Sequence, residues 1–570
     1  MAARRREWLA LLLISMVMIG LPGRLLAQDA TPEATPPGGL AAQLGLITVT
    51  EAPTSTGSEA TSEATVEATA QATEIAAANC LAQVQFQQDS IGLEAQVTKL
   101  TKAIKADPQD IDSLMARADL YRSIQSYDLA IADYQQVLTT QPNYTDNQFA
   151  CNYAITYALR GESSAQSSQY QAAFNDYQAA LQVDATLPSY FPIYDLMGTA
   201  SEGLGQYDQA LKYFNQSIAT LNYPQSYVNR AQLYMAGRLY PQAFSDLNTA
   251  IKLDNQNTAA YYFRSRLEAT EGDFSSALTD ASRVIALAPN SSSGYINRAT
   301  IYRAQGDDQD ALADLTQAIS VDPSDPNAYL NRSYIYADEK QYDLALKDLN
   351  QTLQLAPNEP TVLTTRSEVY REQGNDPAAL ADANQVVQLD PTNPDSYLRR
   401  GYIYDDMNNS TAALADYNKA IQLDATYPWG YLARGSSYGK QGDRASEAAD
   451  YWQFAQLDGT QALVQPEIQA GGSAQLAMQA GLVFHIPFEG KAGQVITIAA
   501  NSPASVGVDS LLVLLDPNGK PIAADDDSGG DTNALISKVA LPTSGTYTII
   551  VTHAGGNNTG SVTVTLTVDQ

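Results

Sequence analysis

Residues 327 to 357 read NAYLNRSYIYADEKQYDLALKDLNQTLQLAP, and this stretch decides the fold of most of the chain. Tyr329, Ser333 and Tyr336 share one helical face, and after a polar turn Ala345 and Leu349 share another. Apolar and small residues at intervals of three and four are typical of amphipathic helices. The stretch therefore predicts two helices packed as a hairpin and ended by a proline.

The same unit recurs at an interval of 34 residues. An arginine keeps this interval at Arg230, Arg264, Arg298, Arg332, Arg366, Arg400 and Arg434, and an aspartate keeps it at Asp246, Asp280, Asp314, Asp348, Asp382, Asp416 and Asp450. We count ten units, which end near residues 142, 185, 222, 255, 289, 323, 357, 391, 425 and 459. Such self-similarity indicates a stack of identical supersecondary units, a solenoid.

Small residues at two fixed positions let the paired helices approach closely. Ser333 and Ala345 hold these positions in the quoted unit, and Ala154 is expected to hold the first of them in the second unit. About seven extra residues near 161–167 are expected to lengthen the hairpin of that unit. Two further departures are Glu268, where other units have tyrosine, and Glu447, where other units have alanine, as in a terminal cap.

This pattern resembles the tetratricopeptide repeat family in its 34-residue spacing and in its small, tyrosine and proline positions. The resemblance covers about two thirds of the chain and implies capping helices at 77–108 and an α-solenoid of about ten helix hairpins at 109–460. It also implies a non-catalytic surface for protein partners. Because each unit contacts its neighbours, the solenoid is expected to fold without the rest of the chain.

Residues 463–570 change to alternating apolar and polar residues, as in Val562, Val564 and Leu566. Period two with Gly, Pro, Asn and Asp at the breaks predicts an antiparallel β-sandwich of seven or eight strands. The stretches at 493–498, 509–519, 524–527 and 545–547 resemble the bacterial pre-peptidase C-terminal domain. That resemblance implies a jelly-roll-like accessory domain of an exported protein, so the fold class is multidomain α + β.

The N-terminus has the pattern of an export signal at residues 1–27: three arginines, an apolar run from Trp8 to Leu21, then Pro22 and Gly23. The signal is either cleaved or retained as an anchor, and the mature chain is expected to have no membrane span unless it is retained. Residues 28–76 are nearly all Ala, Thr, Glu, Pro, Ser and Gly, which predicts a disordered linker. The protein is therefore expected to be extracytoplasmic, secreted or displayed at the cell surface.

The net charge of −30 argues against nucleic acid and anionic lipid as partners. The two cysteines, Cys80 and Cys151, either form a disulfide after export or remain apart on separate repeats.

The arginine and aspartate ladders allow two interpretations. Seven arginines in register could bind a polyanion, or each could pair with an aspartate across the hairpin. One acid for every base favours the structural interpretation. The members of this structural ladder are Arg264, Arg298, Arg332, Arg366, Arg400, Asp280, Asp314, Asp348, Asp382 and Asp416.

First helices are expected to line a concave face that binds a protein or peptide partner of unspecified identity. The candidate residues on it are Asn229, Gln232, Arg266, Asn297, Asn331, Tyr334, Arg399 and Tyr402. The family's lysines for binding a C-terminal carboxylate are missing at related positions, so that mode of binding is not expected.

The β region contains an acidic cluster that is either a solvated turn or a calcium site: Asp509, Asp516, Asp525, Asp526, Asp527 and Asp531. The spacing lacks the order of an EF-hand loop. Only two histidines occur, His485 and His553, and no nucleophile elbow accompanies them, so no catalysis and no cofactor other than possible calcium is expected. The predicted function is an exported scaffold; the alternatives are a calcium- or glycan-binding surface protein acting through the sandwich, and an accessory chain of a secreted hydrolase.

Overall fold

The computed structural model describes residues 90–144, 146–503, 508–526, 533–554 and 559–569. These residues fall into an N-terminal unit that ends at Pro289 and a C-terminal unit that begins at Asn290. The predicted signal at 1–27, the predicted linker at 28–76 and Cys80 lie outside the described residues. Cys151 is buried and disulfide-bonded.

The N-terminal unit consists of helices, with one short 3₁₀ turn at Leu187–Ser189. They are α1 (Ser90–Ala106), α2 (Ile111–Ser123), α3 (Tyr127–Thr140), α4 (Asn147–Gln166), α5 (Tyr170–Val183), α6 (Ile193–Gly203), α7 (Tyr207–Leu221), α8 (Pro224–Ala236), α9 (Tyr240–Leu253), α10 (Thr258–Thr270) and α11 (Phe274–Leu287). After α1, consecutive helices pair as five hairpins, α2–α3 through α10–α11.

The C-terminal unit begins with five more hairpins. Their helices are α12 (Ser292–Gln305), α13 (Asp308–Val321), α14 (Pro326–Asp338), α15 (Tyr342–Leu355), α16 (Pro360–Glu372), α17 (Asp376–Leu389), α18 (Pro394–Asp406), α19 (Ser410–Leu423), α20 (Pro428–Lys440) and α21 (Arg444–Asp458). The described part of the chain thus has 21 helices, of which 20 form ten tetratricopeptide-like hairpins, in agreement with the predicted ten units.

The quoted stretch shows why each hairpin forms. Pro326 opens α14 with its fixed backbone angle, and the Asp325 carboxylate accepts the amide of Asn327 at the helix start. Lys340, with a φ of 60°, turns the chain into α15. Ser333 and Ala345 are fully buried between the two helices, as small residues at a close crossing should be.

The second hairpin differs from the sequence prediction. The α4 helix is indeed long, at 20 residues, but the extra residues lie at its N-terminal end and not in the hairpin turn. Arg160 bonds to Asp176, sixteen residues on, so Gly161 takes the small position that was predicted for Ala154. A Cβ on Gly161 would come within 2.6 Å of the Tyr177 ring, because this position faces the second helix at closest approach.

Among the described residues, nine strands follow the last helix, more than the seven or eight predicted: β1 (Gln461–Val464), β2 (Ser473–Met478), β3 (Leu482–Gly490), β4 (Val495–Asn501), β5 (Ser510–Leu515), β6 (Pro521–Asp525), β7 (Ala534–Ala540), β8 (Gly545–His553) and β9 (Gly560–Asp569). They form a five-stranded sheet in the order β1-β3-β8-β5-β6 and a four-stranded sheet in the order β2-β9-β4-β7. The pairing is antiparallel as predicted, except that β1 runs parallel to β3. Buried apolar residues from both sheets, such as Ile486, Ile498 and Ile549, form one core.

Candidate partner-binding face

The ladder arginines lie against the ladder aspartates of the same hairpin. In nine of the ten described hairpins, Nε and Nη2 of the arginine donate to the two carboxylate oxygens of an aspartate sixteen residues on, at 2.6 to 3.0 Å. The series includes Arg117 with Asp133 and Arg160 with Asp176, which the 34-residue spacing had missed. The exception is α6–α7, where Met197 stands in place of the arginine.

Seven of these arginines also donate from Nη1 to a side chain of the hairpin that precedes their own. Nη1 of Arg366 donates to Asn350 Oδ1 at 2.6 Å, and Nη1 of Arg434 donates to Asn418 Oδ1 at 2.6 Å. At the same position Thr316 accepts from Arg332 at 3.3 Å. Sequence reasoning overlooked these acceptors, although asparagine recurs at the ladder interval in Asn350, Asn384 and Asn418. One guanidinium therefore connects three helices.

Tyrosine rings cover both sides of the guanidinium. Arg332 lies over the rings of Tyr329 and Tyr336, at 5.9 and 5.8 Å from their centroids, and other hairpins repeat this arrangement. The hydrogen bonds that Arg332 donates to Asp348 raise the pKa of the arginine above its usual value. With its faces and donors engaged inside the protein, the ladder fits a structural role and leaves little for a polyanion.

Within each unit, the first helices of successive hairpins lie side by side and form a surface, which we call the first-helix face. Three of the residues predicted to bind a partner there are buried: Arg266 is 3% exposed, Asn297 4% and Asn331 6%. Asn229 is half-buried and donates to the buried Asp195 at 3.1 Å. Asn229 therefore joins two neighbouring first helices, whereas Asn331 donates to the carbonyl of Asn327 in its own helix at 2.9 Å. Gln232, another residue predicted to bind a partner, is half-buried, and no hydrogen bond of its side chain is seen among the described residues.

Tyr334 and Tyr402 lie at the centre of two equivalent clusters in the C-terminal unit. Arg303 on α12 lies over the Tyr334 ring at 5.5 Å and bonds to Asp338 at 2.8 Å. Two repeats further along, Arg371 lies over the Tyr402 ring at 5.7 Å and pairs with Asp406. We call these the Arg–Tyr–Asp clusters. Sequence reasoning named only their tyrosines; the recurrence of all three residues two repeats apart was the available signal.

Arg399 lies between the two neighbouring first helices α16 and α18. Its guanidinium pairs with Glu368 of α16 and with Asp395 of its own helix. About a third of the Arg399 side chain remains exposed. In the C-terminal unit, ion pairs therefore join α12 to α14 and α16 to α18 across the first-helix face.

The predicted calcium ligands are engaged separately. Asp516 accepts the amides of Asn518 and Lys520 within its turn, at 2.8 and 2.9 Å, which lowers its pKa. Asp525 accepts the amide of Leu535 at 2.7 Å, and Asp526 accepts the hydroxyl of Tyr451 at 2.9 Å. Asp509 precedes β5, while Asp527 and Asp531 lie outside the described residues. In the described ranges no group of three metal-binding side chains converges.

Both histidines lie in strands of the five-stranded sheet, His485 in β3 and His553 in β8. His553 is 2% exposed, and burial lowers the pKa of both His553 and His485, which favours the neutral rings. His485 packs against Trp452, with ring centroids 6.3 Å apart. Within the part of the chain that the structure describes, no helix has the length and apolar character needed to cross a membrane.

Comparison with known proteins agrees with this geometry. Residues 111–144, 191–219, 228–292, 296–360, 368–408 and 401–442 match tetratricopeptide repeat families. Residues 485–553 match the bacterial pre-peptidase C-terminal domain. The repeat fold is typically a non-catalytic scaffold for protein partners.

A curated relative, DnaJ homolog subfamily C member 7 homolog of Dictyostelium discoideum, is 25% identical over 163 residues; the match spans 28% of this chain and 30% of the relative. A thermophilic TPR protein of Thermus thermophilus is 26% identical, with a TM-score of 0.28 over 32% of this chain and 98% of the other. Yeast Tom70 is 16% identical, with a TM-score of 0.39 over 62% of this chain and 86% of the other. The chain thus carries tetratricopeptide repeats between residues 111 and 442 and a bacterial pre-peptidase C-terminal domain at residues 485–553.

Proposed function

We propose that the protein is an exported, non-catalytic scaffold that binds a basic segment of a protein partner on the first-helix face of its C-terminal unit. Tetratricopeptide repeats are typical of protein–protein interaction, which supports the general role. The two Arg–Tyr–Asp clusters support the place and the chemistry. They are equivalent arrangements on alternate first helices, as expected of a surface that reads a repeated feature of an extended ligand.

The acidic groups in these clusters are partly exposed. The side chains of Asp338 and Asp406 are 37% and 40% exposed, while Arg303 is 14% exposed and Arg371 is 38% exposed. A lysine or arginine of a partner could therefore reach each carboxylate from solvent. The whole chain, with a net charge of −30, would also attract a basic segment and speed its encounter at low salt.

The extracytoplasmic location is part of the proposal. It is supported by the basic start, the apolar run from Trp8 to Leu21 and the helix-breaking Pro22 and Gly23. The polar composition of residues 28–76 suits a spacer between a membrane or wall and the repeats. Secretion assays of the full chain, with the N-terminus of the exported product sequenced, would test both points.

The central experiment is affinity capture from the native extracytoplasmic fraction, with residues 28–570 as bait. The double variant Asp338→Asn/Asp406→Asn should capture much less partner, and capture by the native chain should fall as salt rises. The matched control is Asp343→Asn, an exposed acid in the first turn of α15 that belongs to neither cluster.

Equal capture by the double variant and the native chain would refute binding at the clusters. Capture that requires calcium and survives in both variants would favour the alternative of binding through the β domain. Recovery of one hydrolase as the partner would instead favour an accessory chain of that enzyme.

A further inference from the structure

The last helix of the repeats, α21, packs against the five-stranded sheet. Ala448, Tyr451, Phe454 and Ala455 of α21 form one buried cluster with sheet residues Val483, Leu511, Val513, Leu515, Ala524 and Ile550. Trp429 and Trp452 pack at its margin. The cluster is separate from the core between the two sheets, so it is a second apolar layer built between a helix and the outer side of a sheet.

β5 is buried on both faces as a result. Leu512 and Leu514 point into the core between the sheets, whereas Leu511, Val513 and Leu515 belong to the cluster with α21. All six residues of the strand are buried. Antiparallel sheets commonly leave one face to water and alternate apolar with polar residues. An uninterrupted apolar strand requires a cover on each face, and here α21 provides the second cover.

The sequence of α21 departs from the repeat pattern at residues that contact the sheet. At the place where Asn418 accepts a hydrogen bond from the arginine of the next hairpin, α21 has Trp452, whose ring packs against His485 of β3. Tyr451 donates from its hydroxyl to Asp526 at 2.9 Å. Glu447, predicted as a residue of a terminal cap, is only 3% exposed and accepts a hydrogen bond from Arg444. The face of α21 that would pack against another hairpin packs against the five-stranded sheet instead.

The connection leaves little freedom between the two parts. α21 ends at Asp458 and β1 begins at Gln461, so only Gly459 and Thr460 join them. The amide of Thr460 donates to the carbonyl of Gly481 at 2.8 Å, and a Cβ on Gly459 would come within 2.4 Å of Val483. Such a short, hydrogen-bonded connection holds the sheet at the end of the helix.

We propose that the β domain is the C-terminal cap of the repeats. Its five-stranded sheet takes the place of an eleventh hairpin on α21, and this sheet and α21 unfold together. Solenoids need a cap because a terminal repeat otherwise exposes an apolar stacking face. This inference replaces the expectation that the repeats fold without the sandwich. It is independent of the proposed partner and of where that partner binds.

Hydrogen exchange of the full chain tests the cap. Trp452→Asn gives α21 the residue that Asn418 supplies one repeat earlier, so it should suit a repeat but not the sheet. We expect loss of protection in both α21 and β5, with α12 to α15 unchanged. The matched control Asn418→Ala should weaken α19 and α20 while β5 keeps its protection.

A reciprocal variant keeps the test decisive if Trp452→Asn unfolds the C-terminal unit. Ile550→Ser changes only the sheet side of the cluster and should loosen α21 as well as β8. If protection of β5 survives Trp452→Asn, or if α21 is unaffected by Ile550→Ser, the sandwich is an independent domain and the cap is refuted.

Discussion

Arg332 of α14 and Asp348 of α15 are joined by two hydrogen bonds, Nε to Oδ2 at 2.7 Å and Nη2 to Oδ1 at 2.9 Å. Only 3% of the aspartate side chain and 16% of the arginine side chain are exposed. The planar guanidinium and the carboxylate match in geometry, so this pair fixes how the two helices lie against each other. Its repetition makes the ladder a structural element of the hairpins.

Arg332→Ala should weaken the hairpin α14–α15 by about 2–4 kcal/mol, because Asp348 is left buried and poorly compensated. Local hydrogen exchange of α14 and α15 measures the loss, since a repeat array does not melt as one two-state unit. Lys340→Ala, at the exposed turn of the same hairpin, is the control and should have no effect. Unchanged protection together with lost partner capture would assign the ladder to an anionic ligand instead.

Asn350→Ala should weaken the contact between two successive hairpins by about 1–2 kcal/mol, as it removes an acceptor for the charged Arg366. Asn350→Thr should cost less, because Thr316 fills the equivalent position naturally and still accepts from Arg332. Hydrogen-exchange rates of the backbone amides in α15 and α16 measure the difference between the two variants. If both substitutions cost the same, the side-chain acceptor is not what joins the hairpins.

Gly401→Ala should destabilise the hairpin α18–α19 by about 1–3 kcal/mol, because the added Cβ would lie 2.4 Å from the Tyr417 ring. Tyr417→Leu should also destabilise by leaving a cavity. The double variant should lose less than the sum of the two, since Ala299 with Leu315 is a natural pairing at these positions. A double-mutant cycle gives this coupling, and additive losses would show that the two sites are independent.

Glu268→Gln should change how stability of the hairpin α10–α11 depends on pH. Burial raises the pKa of Glu268 from its usual 4.5 to about 7, and its Oε2 has no hydrogen-bond partner among the described residues. The folded chain binds the proton of Glu268 more tightly than the unfolded chain does. The stability that this proton contributes is therefore full below about pH 4.5 and is lost as pH rises through about 7. Asp195 and Glu202 have similarly raised pKa values, so the native chain alone would not isolate Glu268.

The comparison is therefore between variants. Glu268→Gln should stabilise α10 and α11 above pH 7 and make little difference at pH 5, as measured by local hydrogen exchange. Glu268→Tyr, which gives this hairpin the tyrosine that Tyr302 and Tyr336 supply elsewhere, should stabilise it at neutral pH too. A Gln variant with the same pH dependence as the native chain would contradict the raised pKa.

The sequence by itself determined the repeat unit and the residues that hold it together. Arg332, Asp348 and Ser333 recur because every copy forms the same local contact, sixteen residues apart, in the same surroundings. Period two with turn residues likewise predicted the β-sandwich. These patterns suffice because the interacting residues are near in sequence, and their spacing repeats the geometry of the elements that carry them.

Tertiary structure alone decided what the period does not encode. Extra residues can lengthen a helix at either end. The contact of Arg160 with Asp176 shows that the extra residues of α4 lie at its N-terminal end. Asn297 and Asn331 were predicted as surface residues, but they are only 4% and 6% exposed in the folded chain. Tyr451 and Asp526 meet across 75 residues at the join of two different folds, and no repeated spacing can anticipate a contact that occurs once.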